Sequence, residues 1–546
     1  MLNPFCPFAT DDGLLRGTDL AALGAPAGFL QTISTGPVPD STIGLRLSSF
    51  DLFVQEDWKV RRNLTLNLGL RYELPTVAKE TNGRIERTFG LRPEQFGHLQ
   101  ATGTPQNQQI INSGNRAFDA ALNGLQNFVA GRKHIHDPDR RDFAPRVGLA
   151  WDPTGTGTTA LRAGFGLFYD ATLGAVTSQS RNVFPTFVPV NLDVNFQPPT
   201  GQLLNNPSFF SFIPTNEPLI RPGTLNTYNL GGAAFATGLG TLLLQSRPSP
   251  GASLSSNGLA FTLPEKEWRS SYAEQWTVSA ERQFGSRFVA SLGYMGTRGL
   301  HLPRFATPNG GLIATPFLIS SFNNPLSILD LPPSLNPEVE GRPQPGLGAY
   351  TVFQNRASSN YHALQLAVEK RISRGLQFRG HWTWSHAIDE VSDVFDGRGF
   401  FAFPQDSNRA DLERASSNFD VRHRLAGIAV WQWRNWTAAA TAEFQTGQPF
   451  TINAAIDRNL DGNLTDRVSG RNSSRADSVG TIDFAVERQI SLAKQTSIAL
   501  RMEAFNLLNT TSFGIPVRIL ESPGFGKAFD TQVNSRSIRF VAKVQF

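Results

Sequence analysis

The densest set of oxygen ligands in this 546-residue chain is Asp457-Arg458-Asn459-Leu460-Asp461-Gly462-Asn463-Leu464-Thr465-Asp466. Oxygen side chains at positions 1, 3 and 5, followed by Gly at position 6, match the opening of a calcium loop, where the glycine permits a sharp turn. Position 12 is Val468 rather than the bidentate Glu, so an EF-hand is not supported. Asp466 offers a carboxylate in its place. Asp457, Asn459, Asp461, Asn463 and Asp466 are therefore the candidate calcium ligands, and the competing reading is a solvated turn rich in Asn and Asp.

Other reactive groups are sparser. His134-Ile135-His136-Asp137 has two imidazoles but no third His, Cys or carboxylate at a defined spacing, and reads as a polar loop. Asp389-Glu390 is an acid pair in a predicted loop with no recognisable partner. The lone Cys6 excludes an internal disulfide and a cysteine-based zinc site. No G-x-S-x-G, H-E-x-x-H or P-loop occurs. We read no catalytic constellation and no organic cofactor site. The net charge of +5 is spread without a run of five or six Lys/Arg, which argues against nucleic acid as a partner.

The elements that position these groups are short and alternating. The last eleven residues, RSIRFVAKVQF, place Ile538, Phe540, Ala542, Val544 and Phe546 on one face, and Ser537, Arg539, Lys543 and Gln545 on the other. That period suits a strand with one apolar side, and about ten residues cross a bilayer when tilted. The same pattern recurs at 49–58, 63–74, 142–151, 159–169, 271–284, 287–295, 360–372, 376–385, 420–433, 436–445, 480–492 and 496–506, giving thirteen predicted strands with 536–546. Residues 1–48 read as loop, or as the remnant of a preceding barrel region. There is no apolar run of eighteen residues, so no helix spans a membrane. The mean hydropathy of −0.23 is what alternating lipid-facing and lumen-facing side chains average to.

Connections alternate between turns of two to seven residues and loops of roughly thirty to a hundred. Structureless loops beyond about fifteen residues are uncommon in compact soluble domains, whereas outer-membrane barrels pair short periplasmic turns with long extracellular loops. With Phe546 in the periplasm, every short turn falls on that side. Trp58, Trp151, Trp431, Trp433 and Trp436 then mark the periplasmic ends, and Tyr72, Tyr169, Tyr294 and Trp384 the outer ends. The expected fold is all-β, an antiparallel transmembrane β-barrel in outer-membrane lipid. Arg71, Arg162, Arg422, Arg424, Asp483, Glu487, Arg501 and Glu503 are expected to face its lumen, lining a path or pairing across strands.

Several segments resemble the Oar-like TonB-dependent outer-membrane receptors. They are 53–58 (FVQEDW), 64–72 (LTLNLGLRY), 143–151 (FAPRVGLAW), 293–299 (GYMGTRG), 360–365 (NYHALQ), 419–424 (FDVRHR), 446–450 (TGQPF) and 503–509 (EAFNLLN). The resemblance implies a 22-stranded barrel plugged by an N-terminal domain. It also implies uptake of an extracellular ligand, driven by the TonB system through a TonB box. Residues 1–13 do not read as a signal peptide, and no plug or TonB box is recognised, so 49–546 is expected to be the C-terminal barrel portion of a longer receptor. The alternatives are an outer-membrane adhesin without active transport, and a secreted carbohydrate hydrolase with a carboxylate pair in a cleft.

Overall fold

The computed structural model describes residues 28–34, 42–90, 100–101, 111–112, 124–172, 174–180, 187–193, 261–309, 350–394, 404–454, 466–492 and 496–546. With two short strands pairing off it, thirteen strands form the continuous path of one fifteen-stranded sheet. They are β1 (Ser49–Arg61), β2 (Leu64–Pro75), β3 (Asp142–Trp151), β4 (Thr159–Asp170), β5 (Ser271–Phe284), β6 (Phe288–Ala306) and β7 (Thr351–Ser373), then β8 (Leu376–Asp389), β9 (His423–Trp433), β10 (Trp436–Gln445), β11 (Val479–Ser491), β12 (Ser497–Phe505) and β13 (Ser537–Gln545). Each bonds antiparallel to its neighbours in sequence, from β1 at one edge to β13 at the other. These are the thirteen segments that alternation marks in the sequence.

Register turns the alternation into two continuous faces. On one, Leu68 stands opposite Val147, Val147 opposite Phe165, and Phe165 opposite Trp276. The same face continues through Leu292 and Leu366 to Met502 and Phe540. Leu52 is 73% exposed and Phe540 77% exposed. A soluble sheet would cover such a face with a second layer. Among the described residues none does, and hydrocarbon is the environment that satisfies it.

The opposite face is polar and internally paired. Arg71 binds Asp51 at 3.2 Å and Glu73 at 2.9 Å, and Arg501 binds Glu503 at 2.8 Å and Glu487 at 3.8 Å. Arg162 reaches Glu281 at 4.0 Å, and Glu503 also takes Arg539. Arg424 donates to Gln445 at 3.4 Å, and Asp483 accepts the Asn506 amide at 2.8 Å. Most of these lumen-side charges therefore tie adjacent strands together.

Two aromatic bands bound the apolar belt. At the short-turn end Trp431 and Trp433 stack at 6.1 Å, and Phe288 meets Phe378 edge-on at 6.3 Å. At the long-loop end Tyr72 stacks on Phe143 at 4.6 Å, Tyr169 lies 5.4 Å from Tyr272, and Trp382 stacks on His423 at 5.9 Å. Along β8, Leu376 pairs with Trp431 and Trp384 with His423. Those eight residues span about 27 Å along the strand, or roughly 20 Å of height after the usual tilt, close to a barrel's apolar band.

The short turns are built tightly. In Ser373-Arg374-Gly375 the glycine has φ +76°, and a Cβ there would sit 1.9 Å from the Gln432 carbonyl oxygen. Gly375→Ala is expected to lower stability by about 2 kcal/mol, read as a lower urea midpoint for the vesicle-inserted protein.

The long loops carry more order than their sequence suggests. β6 and β7 run past the predicted ends at 295 and 360, through bulges between Gly299 and Leu302 and between Leu302 and Arg304. The extensions bury Phe305 and Phe353, 4.4 Å apart, with Val176, Trp268 and Val394 in a small core beyond the belt. A short strand, Thr262–Pro264, pairs parallel to β7 there. Gly28–Ser34, read from sequence as loop, is a strand paired antiparallel with Phe187–Asp193.

Candidate functional site

The long-loop end holds two polar assemblies. In the first, three arginines at four-residue spacing on 467–475 dock into the segment between β8 and β9. Arg467 forms a bidentate pair with Glu413, at 2.9 and 2.5 Å. Arg471 Nη2 donates to Asp389 Oδ1 and to Ser392 Oγ, both at 2.7 Å, while its Nη1 reaches the Asp389 and Glu413 carbonyls at 3.0 and 2.9 Å. Arg475 donates to Asp420 Oδ2 and, at 3.0 Å, to the Gly447 carbonyl. Asp389, Glu413 and Asp420 are all buried; Arg467 and Arg471 are largely shielded from water with their acids, Arg475 is about one-third exposed, and the Arg467–Glu413 pair gains from fork geometry.

Asn472 completes the dock in a left-handed conformation, which Asn tolerates. Its side-chain amide donates to the Ser416 carbonyl at 2.6 Å and to Asn418 Oδ1 at 2.7 Å. A cavity of about 110 Å³ lies beside it, walled by Phe305, Glu390, Ser392, Arg467 and Arg471 among others.

The sequence reading of Asp389-Glu390 as a loop pair without a partner is corrected. Asp389 ends β8 and holds Arg471, while Glu390 accepts the Ser358 hydroxyl at 2.9 Å and lies 3.8 Å from Arg414. Arg422 is corrected too. It precedes β9 and binds Asp420 at 3.2 Å and His386 Nε2 at 3.0 Å, rather than projecting from a strand into the lumen.

Asp420 is the hub. Besides Arg475 and Arg422 it takes the Ala387 amide at 2.8 Å and His386 Nδ1 at 3.1 Å. Burial pushes its pKa up, but the Ala387 N–H, Arg475 and His386 outweigh that and hold it below the ordinary carboxylate value. A depressed folded-state pKa contributes stability that is present above the unfolded value of about 3.9 and is lost as pH falls through the folded one. The dock is thus expected to hold at neutral pH and to loosen below about pH 4, which amide exchange at Ala476 and Val468 would report.

The second assembly is an open recess of about 470 Å³, lined by Asp137, Arg141, Glu265, Trp268, Arg269, His301 and Arg356 among others. Glu265 is held by Arg356 at 3.0 Å and Gln354 at 3.0 Å. Behind it the buried Arg132 donates to the Ile135 and Pro264 carbonyls, both at 2.8 Å. Burial lowers the Arg132 pKa to about 10, against the raising pull of Asp137 and Glu265. The recess carries both signs of charge beside an indole, suited to polar ligand contacts.

His136 Nδ1 sits 2.9 Å from the Asp137 carbonyl oxygen, and its ring packs 5.5 Å from Trp268, where burial lowers its pKa. Among the described residues no group of three or more His, Cys, Asp or Glu is placed to hold a metal. Asp457, Asn459, Asp461 and Asn463 lie outside the described residues. Asp466 is buried and its carboxylate accepts from the Gln405 amide. The one sequence signal for Arg467, Arg471 and Arg475 is their even four-residue spacing.

A single antiparallel sheet with an apolar belt between aromatic bands, a polar reverse face, short turns at one end and long loops at the other is the wall of an outer-membrane β-barrel. The chain belongs to the outer membrane beta barrel domain family, whose model matches residues 19–469 and 467–539, and it resides in the bacterial outer membrane. No curated protein sequence matches it. Among solved structures it is similar to the outer membrane transporter YddB from Escherichia coli, at 10% identity and TM-score 0.43, covering 92% of this chain and 45% of that one. It is also similar to the pyoverdine receptor FpvA from Pseudomonas aeruginosa, at 9% identity and TM-score 0.41, covering 93% of this chain and 43% of that one. The chain therefore spans less than half the length of these structures.

Proposed function

We propose that this chain is the C-terminal barrel portion of a TonB-dependent receptor, which binds an extracellular ligand at its loop end and passes it through the polar lumen without breaking bonds. The observation carrying the reading is the segregation of every long connection, the 470 Å³ recess and the arginine dock to one end of a lipid-facing wall. The receptor motifs noted in the sequence supply the link to energised uptake.

Strand direction supports a longer barrel. β1 and β13 both run from the loop end to the turn end, so joining them directly would make a parallel seam. A second copy in the same orientation would make the same parallel seam. An all-antiparallel barrel needs an odd number of further strands between them, as a 22-stranded barrel would supply. Leaving the edges open would expose backbone groups to lipid at several kcal/mol each.

Peptide mapping of the protein isolated from outer membranes tests this. Peptides continuing upstream of Met1 into a plug support uptake. A mature N-terminus at Met1 sinks it and leaves the adhesin reading.

A further inference from the structure

The outward face at the short-turn end carries arginines that pair with no acid among the described residues. Arg434, at the tip of the β9–β10 turn, lies 4.9 Å over the Trp433 ring, and Arg488, directly across from Trp436, lies 5.1 Å over that ring. Among the described residues no carboxylate lies within ion-pair distance of either guanidinium. On the lumen face Arg71, Arg162, Arg379, Arg501 and Arg539 have acid partners, while Arg424 donates to Gln445 and Arg146 lies over the Phe168 ring. Glu487, adjacent to Arg488, points to that lumen side and is taken by Arg501.

Backbone geometry singles out the same tips. Among the described residues six non-glycines have positive φ: one His, three Asn, and the two turn arginines Arg374 and Arg434. Asn and Gly suit that conformation and Arg does not, so the chain accepts strain to hold a guanidinium at the turn.

Above the Trp433–Arg434–Trp436–Arg488 cluster the outward surface is shallow. Gly427 pairs with Ala442, Ala429 with Ala440, and Trp431 with Ala438, making a smooth strip between the bulkier rows of β8 and β11. Two guanidiniums at headgroup level, each lying over an indole, and a smooth apolar channel leading away from them together match one kind of molecule. We propose that this face of β9–β11 is a binding site for an anionic glycerophospholipid of the periplasmic leaflet. Arg434 and Arg488 grip the phosphodiester, the indoles sit at the headgroup boundary, and an acyl chain lies along the Gly427–Ala442 strip.

The test is tryptophan quenching in phosphatidylcholine vesicles holding the full chain, doped with brominated phosphatidylglycerol or brominated phosphatidylcholine. Five of the nine tryptophans lie at the turn end and report on it. The wild type is expected to prefer the anionic lipid by roughly tenfold, from a few-fold per arginine. The Arg434→Gln/Arg488→Gln double variant is expected to lose that preference, while Lys543→Gln, which removes a positive charge from the lumen face, keeps it. High salt should erase the preference in the wild type itself, a readout independent of how the variants fold. Equal quenching by the two lipids, a salt-insensitive preference, or retention in the double variant would each overturn the assignment.

Discussion

Leu366→Arg is expected to cost about 3 kcal/mol and to block membrane assembly, while Gln365→Arg, one residue earlier, is tolerated. Leu366 lies within the belt, on the outward face, flanked across strands by Leu292 and Trp382. A guanidinium there faces hydrocarbon and is too far from either headgroup layer to snorkel easily. Gln365 sits between Gly293 and Thr383 on the polar face, where water accommodates charge. Heat-modifiable gel mobility of the membrane fraction separates the outcomes: the folded band vanishes for Leu366→Arg and persists for Gln365→Arg. A soluble sheet would show no such contrast between two partly open positions.

The second large effect falls on the arginine dock. Asp420→Ala removes the acceptor shared by Arg475, Arg422, His386 and the Ala387 amide. Breaking a buried pair from one side typically costs 3–5 kcal/mol, and because both arginines are about one-third exposed we expect the lower end, about 3 kcal/mol. The loss should be local. Amides of Ala476 and Val468, which bond Gln448 and Ile452 across the dock, are expected to exchange about a hundred times faster, while those of β9 and β10 do not change. Exchange unchanged at Ala476 would mean that Arg467 and Arg471 hold the segment without Asp420.

What the sequence reveals and what it conceals divide along physical lines. The membrane strands are legible because lipid on one side and water on the other impose a strict period, so 64–74 or 538–546 declare themselves residue by residue. Order at the loop end comes from pairings across distance: Arg471 finds Asp389 82 positions away, Arg475 finds Asp420 after 55, and Arg467 finds Glu413 after 54. No local pattern encodes those partners. β9 begins at His423 rather than 420 because Asp420 turns inward to the Ala387 amide. The extensions of β6 and β7 were hidden because bulges and Pro303 break the alternation just where Phe305 and Phe353 leave the membrane for a small core. The recess beside Trp268 joins residues from 137 to 356 and is visible only once β3 to β7 are side by side.

The central claim is that one face of this sheet meets lipid and the other meets water. The most direct measurement is a nitroxide scan of residues 363–368 on β7, with Cys6 replaced, in the outer-membrane-inserted protein. We predict collision with oxygen peaking at Leu364, Leu366 and Val368, and collision with a water-soluble nickel complex peaking at Gln365 and Ala367, with the buried Ala363 low for both. Uniform nickel access along all six positions, or no alternation at all, would contradict a membrane wall.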